Sequence, residues 1–216
     1  MVQIVSKEFV KTLIPTGASV MIGGFLKCGT PQGLIEAVIE SQARDLTLIA
    51  NDTCFPDSGR GRLIVEKRVS RAIVSHIGTN SETGRQMHSG ELTVELTPQG
   101  TLAERIRAGG AGLGGILTPT GVGTVVEKNR RVIEVNGRNF LLEPPLRADV
   151  SLIYGTKADR FGNISFTGTT RNFNPVMATA SDIVIAEVDV LNDLPLDPNE
   201  VIIPGVYVDY IVVKGQ

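Results

Sequence analysis

The string Gly23-Gly24-Phe25-Leu26-Lys27-Cys28-Gly29-Thr30-Pro31 points most directly to chemistry. It joins a short apolar run, Ala18 to Ile22, to a segment with helical periodicity. Glycines let a backbone approach a ligand closely and adopt positive φ. The N-terminus of the following helix offers unpaired N–H groups and the positive end of a dipole. Such a turn suits a phosphate or a polarised carbonyl oxygen. It is not a P-loop, since no Gly-Lys-Ser/Thr follows four spacer residues, and it lacks the G-x-G-x-x-G spacing of dinucleotide-binding turns. A tight strand-to-helix turn with no ligand accounts for the same residues equally well.

Other reactive residue types are scattered. His76 follows a strand-like run, but no carboxylate stands at a spacing that would make it a general base, so it reads as a hydrogen-bonded structural histidine. His88 reads as an exposed residue at a polar helix end. Cys28 lies in the glycine turn, where a helix N-terminus lowers a thiol pKa; a small residue that fits the loop is the plainer reading. Cys28, Cys54 and the two histidines lack the spacing of a zinc site, so no metal is expected. Asp52 and Asp57 read as loop caps. Arg60, Arg62 and Arg171 are isolated and read as solvated surface groups.

The elements that must carry these residues follow from periodicity. Val5, Phe9 and Leu13 predict a short amphipathic helix, ended by Pro15-Thr16-Gly17. Thr30 is placed to cap a helix with Pro31 at its first position and Leu34, Ile35, Val38 and Ile39 on its apolar face. Strands are expected at Leu46 to Ala50, Ala72 to Ser75 and Leu92 to Leu96, with helices at Asn80 to Met87 and Leu102 to Arg107. This alternation predicts an α/β fold, a mostly parallel sheet covered by helices on both faces. Ala108 to Thr124 reads as a glycine-dense loop. Arg131 to Val135 and Arg138 to Leu142 flank Asn136-Gly137, a type I′ hairpin signal, predicted as an antiparallel β-hairpin decoration of the main sheet. Strands at Val150 to Tyr154, Asp182 to Glu187 and Val206 to Val213, and a helix at Asn174 to Ala180, complete the pattern. With no repeat or linker, residues 1–216 read as one domain.

Composition narrows the class. A net charge of -2 with no Lys/Arg run gives no basic stripe for nucleic acid. No apolar stretch reaches the roughly 18 residues of a membrane span. Lys7, Glu8 and Lys11 fall where a signal peptide needs its apolar segment. Two cysteines suit a reduced chain better than a disulfide framework. The expected location is therefore cytoplasmic.

The longer string Thr16-Gly17-x-x-Val20-Met21-Ile22-Gly23-Gly24-Phe25-x-x-x-Gly29-x-Pro31 resembles the α-subunit signature of family I acyl-CoA:carboxylate CoA-transferases, with Thr16 where that signature has Asp or Asn. Leu46 to Thr53, Gly78 to Gly84, Pro98 to Gly112, Thr118 to Thr124, Arg147-Ala148-Asp149, Gly162-Asn163 and Arg171 to Pro175 extend the likeness over nearly the whole chain. It looks closest to the acetate/butyrate–acetoacetate type.

The resemblance implies a fold like that of CoA-transferases and ribose-phosphate isomerases. It implies a β-subunit partner in an α2β2 assembly, with coenzyme A as substrate and no permanently bound cofactor. It further implies a ping-pong exchange between short-chain acyl-CoA and free carboxylates through a glutamyl-CoA thioester. The glutamate belongs to the β subunit, in a Glu-Asn-Gly context. Ser81-Glu82-Thr83-Gly84 lacks that Asn, so no catalytic nucleophile is expected in this chain. Gly23, Gly24, Phe25, Leu26, Lys27, Cys28 and Gly29 are the expected CoA contacts, with backbone N–H groups as donors. Asn51 is the candidate oxyanion donor; a turn residue that satisfies its own loop is the alternative. Gly109 to Gly115 is a candidate second wall of the acyl pocket. Arg60, Arg62 and Arg171 are within the residue types that meet CoA phosphates. The competing expectations are a self-sufficient sugar-phosphate isomerase or acyl-CoA hydrolase on the same fold, and a CoA-binding module without turnover.

Overall fold

The computed structural model describes residues 2–215. In chain order the elements are β1 (Gln3–Ile4), α1 (Lys7–Val10), β2 (Ser19–Ile22), α2 (Gln32–Glu40), β3 (Leu46–Asp52), α3 (Gly61–Val65), β4 (Val69–His76), α4 (Ser81–Ser89) and β5 (Thr93–Leu96). They continue with α5 (Gln99–Gly110), β6 (Ile116–Thr118), β7 (Arg131–Val135), β8 (Arg138–Glu143), β9 (Ala148–Asp159), β10 (Ile164–Ser165), α6 (Asn174–Ala178), β11 (Ser181–Asn192) and β12 (Tyr210–Val213).

The main sheet runs β1-β12-β11-β9-β2-β3-β4-β5 with every neighbour parallel, and β10 pairs antiparallel to β9. Side chains alternate between faces. Val20, Ile22, Leu48 and Ala50 join the core under α1, α2 and α3, whereas Met21 and Ile49 join the core under α5 and α6. Burial on both faces explains why these strands are nearly continuous apolar runs. The chain walks outward from β2 to β5, then returns to build β9, β11 and β12 on the other side of β2. The order reverses between β2 and β9, and in open parallel sheets the ligand crevice opens at the carboxyl ends of the strands beside such a reversal.

Several expectations need correction. The type I′ hairpin forms, with Asn136 and Gly137 both at left-handed φ of 52° and 73°. It pairs with β6 in a separate three-stranded sheet, however, and shares no ladder with the main one. The stretch from Ala108 is not all loop: α5 runs through Gly109 and Gly110, where a Cβ would lie 1.9 Å from Leu146 O and 2.2 Å from Thr179 Oγ1. Close packing, not chain freedom, fixes those two glycines. The last strand begins at Tyr210, since Gly205–Tyr207 forms a 3₁₀ turn. Thr30 does not cap α2. Pro31 is its N-cap residue, and the Thr30 hydroxyl donates to Leu26 O at 2.7 Å.

Candidate active site

The glycine turn leaves β2 at the carboxyl edge of the sheet. Gly24 has φ 108°, a conformation that favours glycine, and a Cβ on Gly23 would fall 1.8 Å from Asn174 Oδ1. The close approach that glycine permits is therefore made by the protein itself. Phe25 N donates to Cys28 O at 3.0 Å and Cys28 N to Phe25 O at 2.9 Å, closing a tight turn. Gly23 N donates to Leu152 O, Gly24 N to Asn172 Oδ1 and Leu26 N to Asp52 Oδ2. Five amides of the turn are thus engaged internally. The turn therefore presents side chains to the crevice, and of its seven amides only those of Lys27 and Gly29 have no internal partner among the described residues.

The helix behind the turn is closed in the same way. Leu34 N, in the first turn of α2, donates to the buried Glu187 carboxylate at 2.9 Å. Burial pushes the Glu187 pKa up, and the Leu34 and Gly33 N–H groups only partly oppose it. The first turn of α2 thus meets an internal carboxyl group of the protein's own.

The turn is fastened from two sides. Asn172 Nδ2 donates to Cys28 O at 3.1 Å, and Asn174 Nδ2 to Gly29 O at 3.0 Å. On the other side lies Arg60, 0% exposed, which corrects its reading as a solvated group. Arg60 Nη2 lies 2.7 Å from Asp52 Oδ1, and the guanidinium also donates to Asp52 O, Gly23 O, Gly24 O and Thr30 Oγ1. Burying this charge is tolerated because every edge of the planar fork finds an acceptor.

Asp52 sits at the end of β3. Besides Arg60 it accepts from Cys54 N at 2.8 Å and from Asn51 Nδ2 at 2.7 Å, so it is the organiser of its loop. Asn51 is buried, and its Oδ1 accepts from Ser75 Oγ at 3.2 Å and Gln99 Nε2 at 2.6 Å. Gln99, exposed at the start of α5, was not singled out in the sequence. Its signal was the polar side chain in Pro98-Gln99-Gly100, directly after an apolar strand.

These residues line a cavity of about 360 Å³ with Phe25, Leu26, His76 and Thr79. His76 is exposed at its rim and its ring makes no hydrogen bond among the described residues, which corrects its reading as a hydrogen-bonded structural histidine. An adjoining cavity of about 430 Å³ lies beyond Phe25 and Gln99, between Arg107 and Arg171. Cys28 lines a third, with Phe25, Thr169 and Asn172. Lys27 points elsewhere, its ammonium 5.4 Å over the Phe55 ring.

Gly109 and Gly110 pack inside the molecule, while Gly112 and Gly114 face open space. Glu82 lies on α4, where Arg85 holds its carboxyl down to about 2. His88, at the other end of α4, is exposed as expected. Among the described residues no group of three or more His, Cys, Asp or Glu is placed to hold a metal, and no helix is long and apolar enough to cross a membrane.

Comparison with known proteins bears on what such a crevice does. Residues 5–214 match the family model described as coenzyme A transferase. The acetate CoA-transferase subunit alpha of Escherichia coli K12 is 54% identical over 93% of this chain and 91% of its own length. The acetoacetyl-CoA:acetate/butyrate CoA transferase alpha subunit of Clostridium acetobutylicum is 48% identical over 97% of both. Among solved structures, an acyl-CoA transferase of E. coli O157:H7 in a thioester complex with CoA superposes with a TM-score of 0.90 at 24% identity, over 99% of this chain. The chain spans 47% of that longer transferase. Glutaconate coenzyme A-transferase from Acidaminococcus fermentans superposes with a TM-score of 0.86 at 19% identity, covering 98% of this chain and 75% of that one. At these identities the two superpositions speak for the fold alone, and the family model and the close relatives place the chain in the coenzyme A transferase family.

Proposed function

We propose that this chain is the α subunit of a two-chain CoA-transferase that moves CoA between short-chain acyl-CoA and free carboxylates. The observation that carries this reading is the state of the one carboxylate lining the crevice. Asp52 is committed to Arg60, Asn51, Leu26 N and Cys54 N, which supports a nucleophilic carboxylate supplied by a partner subunit. The names of the close relatives, alpha subunits of acetate and of acetoacetyl-CoA:acetate/butyrate transferases, support it. The single domain, residues 1–216, acts in the cytoplasm within an α2β2 assembly.

The exchange is ping-pong. The partner's glutamate oxygen attacks the thioester carbon, the C–S bond breaks, and CoA leaves as thiolate with an acyl-glutamyl anhydride behind it. The thiolate then attacks the glutamyl carbonyl, releasing the first carboxylate and forming a glutamyl-CoA thioester. A second carboxylate runs the two steps in reverse. Splitting the transfer in this way replaces attack by a dilute carboxylate with attack by a held one. This chain supplies the wall: Phe25, Leu26 and Cys28 of the 23–29 turn contact CoA through side chains. The second N–H of Asn51 Nδ2 donates to the thioester oxygen as charge develops, and Gln99 flanks it.

The test is reconstitution. Each subunit alone should be inactive, and the mixture should convert acetoacetyl-CoA and butyrate to butyryl-CoA and acetoacetate. Borohydride trapping should mark a glutamate of the partner. Transfer by this purified chain alone overturns the reading.

A further inference from the structure

We propose that Arg60 and Asp52 are positioning residues that decide which end of the Asn51 and Gln99 amides faces the crevice. An amide side chain donates at one end and accepts at the other, and its shape does not choose between the two orientations. An ionised carboxylate only accepts. Asp52 Oδ2, at 2.7 Å, therefore turns the Asn51 nitrogen toward itself. That leaves Asn51 Oδ1 for Ser75 Oγ at 3.2 Å and for Gln99 Nε2 at 2.6 Å. Gln99 must present its nitrogen inward, and its Oε1 has no partner among the described residues. One polarity thus runs outward, from a carboxylate 1% exposed, through a buried amide, to an exposed one.

Arg60 anchors the inner end. It supplies the counter-charge that a buried carboxylate needs, and it occupies Asp52 Oδ1 together with Cys54 N. Both Asp52 oxygens therefore face two donors, the second pair being Leu26 N and Asn51 Nδ2. An Asn at position 52 would have to place its NH₂ against one pair. Arg60 and the Cys54 amide are both fixed, whereas the second pair has one fixed donor, Leu26 N, and one that can rotate away, the Asn51 side chain. Asp52→Asn therefore reverses Asn51, and through it Gln99, at almost unchanged side-chain volume.

Two experiments on the reconstituted complex test this, and only the second rests on the transferase reading. The first compares Gln99→Lys with Gln99→Glu. Position 99 is the first residue of α5, where the helix dipole alone favours the acid. The relay demands the opposite, because a carboxylate cannot donate to Asn51 Oδ1. Gln99→Lys should melt higher than Gln99→Glu, by about 2–4 °C. A higher melting temperature for Gln99→Glu, or equal values, overturns the proposal whether or not the complex transfers CoA. In the second, Asp52→Asn should lower kcat about 100-fold, the loss expected when an oriented donor is removed, with KM little changed. An assembled Asp52→Asn complex with wild-type kcat, or with the loss confined to KM, also overturns it. A wild-type complex that transfers no CoA sinks the transferase reading alone.

Discussion

Two arginine–carboxylate clusters do opposite work. Arg60 and Asp52 lie at the root of the crevice, 0% and 1% exposed, and every nitrogen of the guanidinium has an acceptor. Arg85 on α4 bridges Glu82 at 2.8 Å and Glu91 at 2.7 Å with its side chain half exposed. The ion-pair distances are nearly the same. Water screens the second cluster, so its geometry costs little to lose. The first has no water to fall back on, so removing one member strands the others. Contact distance does not separate the two clusters; burial with complete hydrogen bonding does.

The sharpest way to break this contrast is Arg60→Ala. It strands the Asp52 carboxylate and frees the Gly23 and Gly24 carbonyls together. The expected loss of stability is about 3–5 kcal/mol, as for a broken buried pair, read from urea denaturation of the complex. A loss no larger than that of Arg85→Ala, measured alongside, would make the two clusters equivalent. Gly23→Ala probes the same clamp by crowding. Its Cβ would fall 1.8 Å from Asn174 Oδ1, and overpacking of this kind costs about 1–3 kcal/mol. Gly114→Ala is the control: nothing lies within 4 Å, and a change within about 0.5 kcal/mol is expected.

These pairs also show how far the chain could be read without coordinates. The parallel sheet and its covering helices were legible because Val20, Ile22, Leu48 and Val74 sit in apolar runs too short for helices. β1, β6, β10 and α3 were not, since two to five residues carry no periodicity. The close-packed 23–29 turn was legible in the sequence, but not what packs against it. Glycine announces close approach without saying by what, and here the answers are Asn174, Thr30 and Thr170. Arg60 was misread because arginine is usually exposed; its five acceptors come from three segments that meet only on folding. Gln99 was missed because a glutamine in a helix start looks the same whether it faces solvent or a buried amide.

Glu187 offers a smaller effect with a definite sign. Burial raises its folded-state pKa above the unfolded value of about 4.3. Whatever stability its protonation contributes is fully present below that value and is lost as pH rises through the folded pKa. Glu187→Gln keeps an acceptor for Leu34 N and removes the titration. Its stability relative to wild type should therefore climb from pH 4 toward neutrality, as read from urea denaturation across that range. A difference independent of pH would mean that Glu187 titrates as it does in the unfolded chain.

The smallest effect is expected at Glu82. Ser81-Glu82-Thr83-Gly84 superficially resembles a nucleophile motif, and Glu82 has a pKa held down to about 2 by the Arg85 side chain. A lowered pKa on an acid gives stability that is present above the unfolded value and is lost as pH falls toward 2. Near neutrality the pair is intact, and its exposure leaves it screened. Held by Arg85 at 2.8 and 2.9 Å and by Gln86 at 2.8 Å, the carboxylate is directed along α4. The lining of the crevice does not include it. Glu82→Gln in the reconstituted complex should therefore leave kcat within about twofold of wild type, as for surface substitutions elsewhere. Loss of a covalent nucleophile costs roughly four or more orders of magnitude. A collapse of that size on Glu82→Gln would move the chemistry into this chain and end the division of labour between the two subunits.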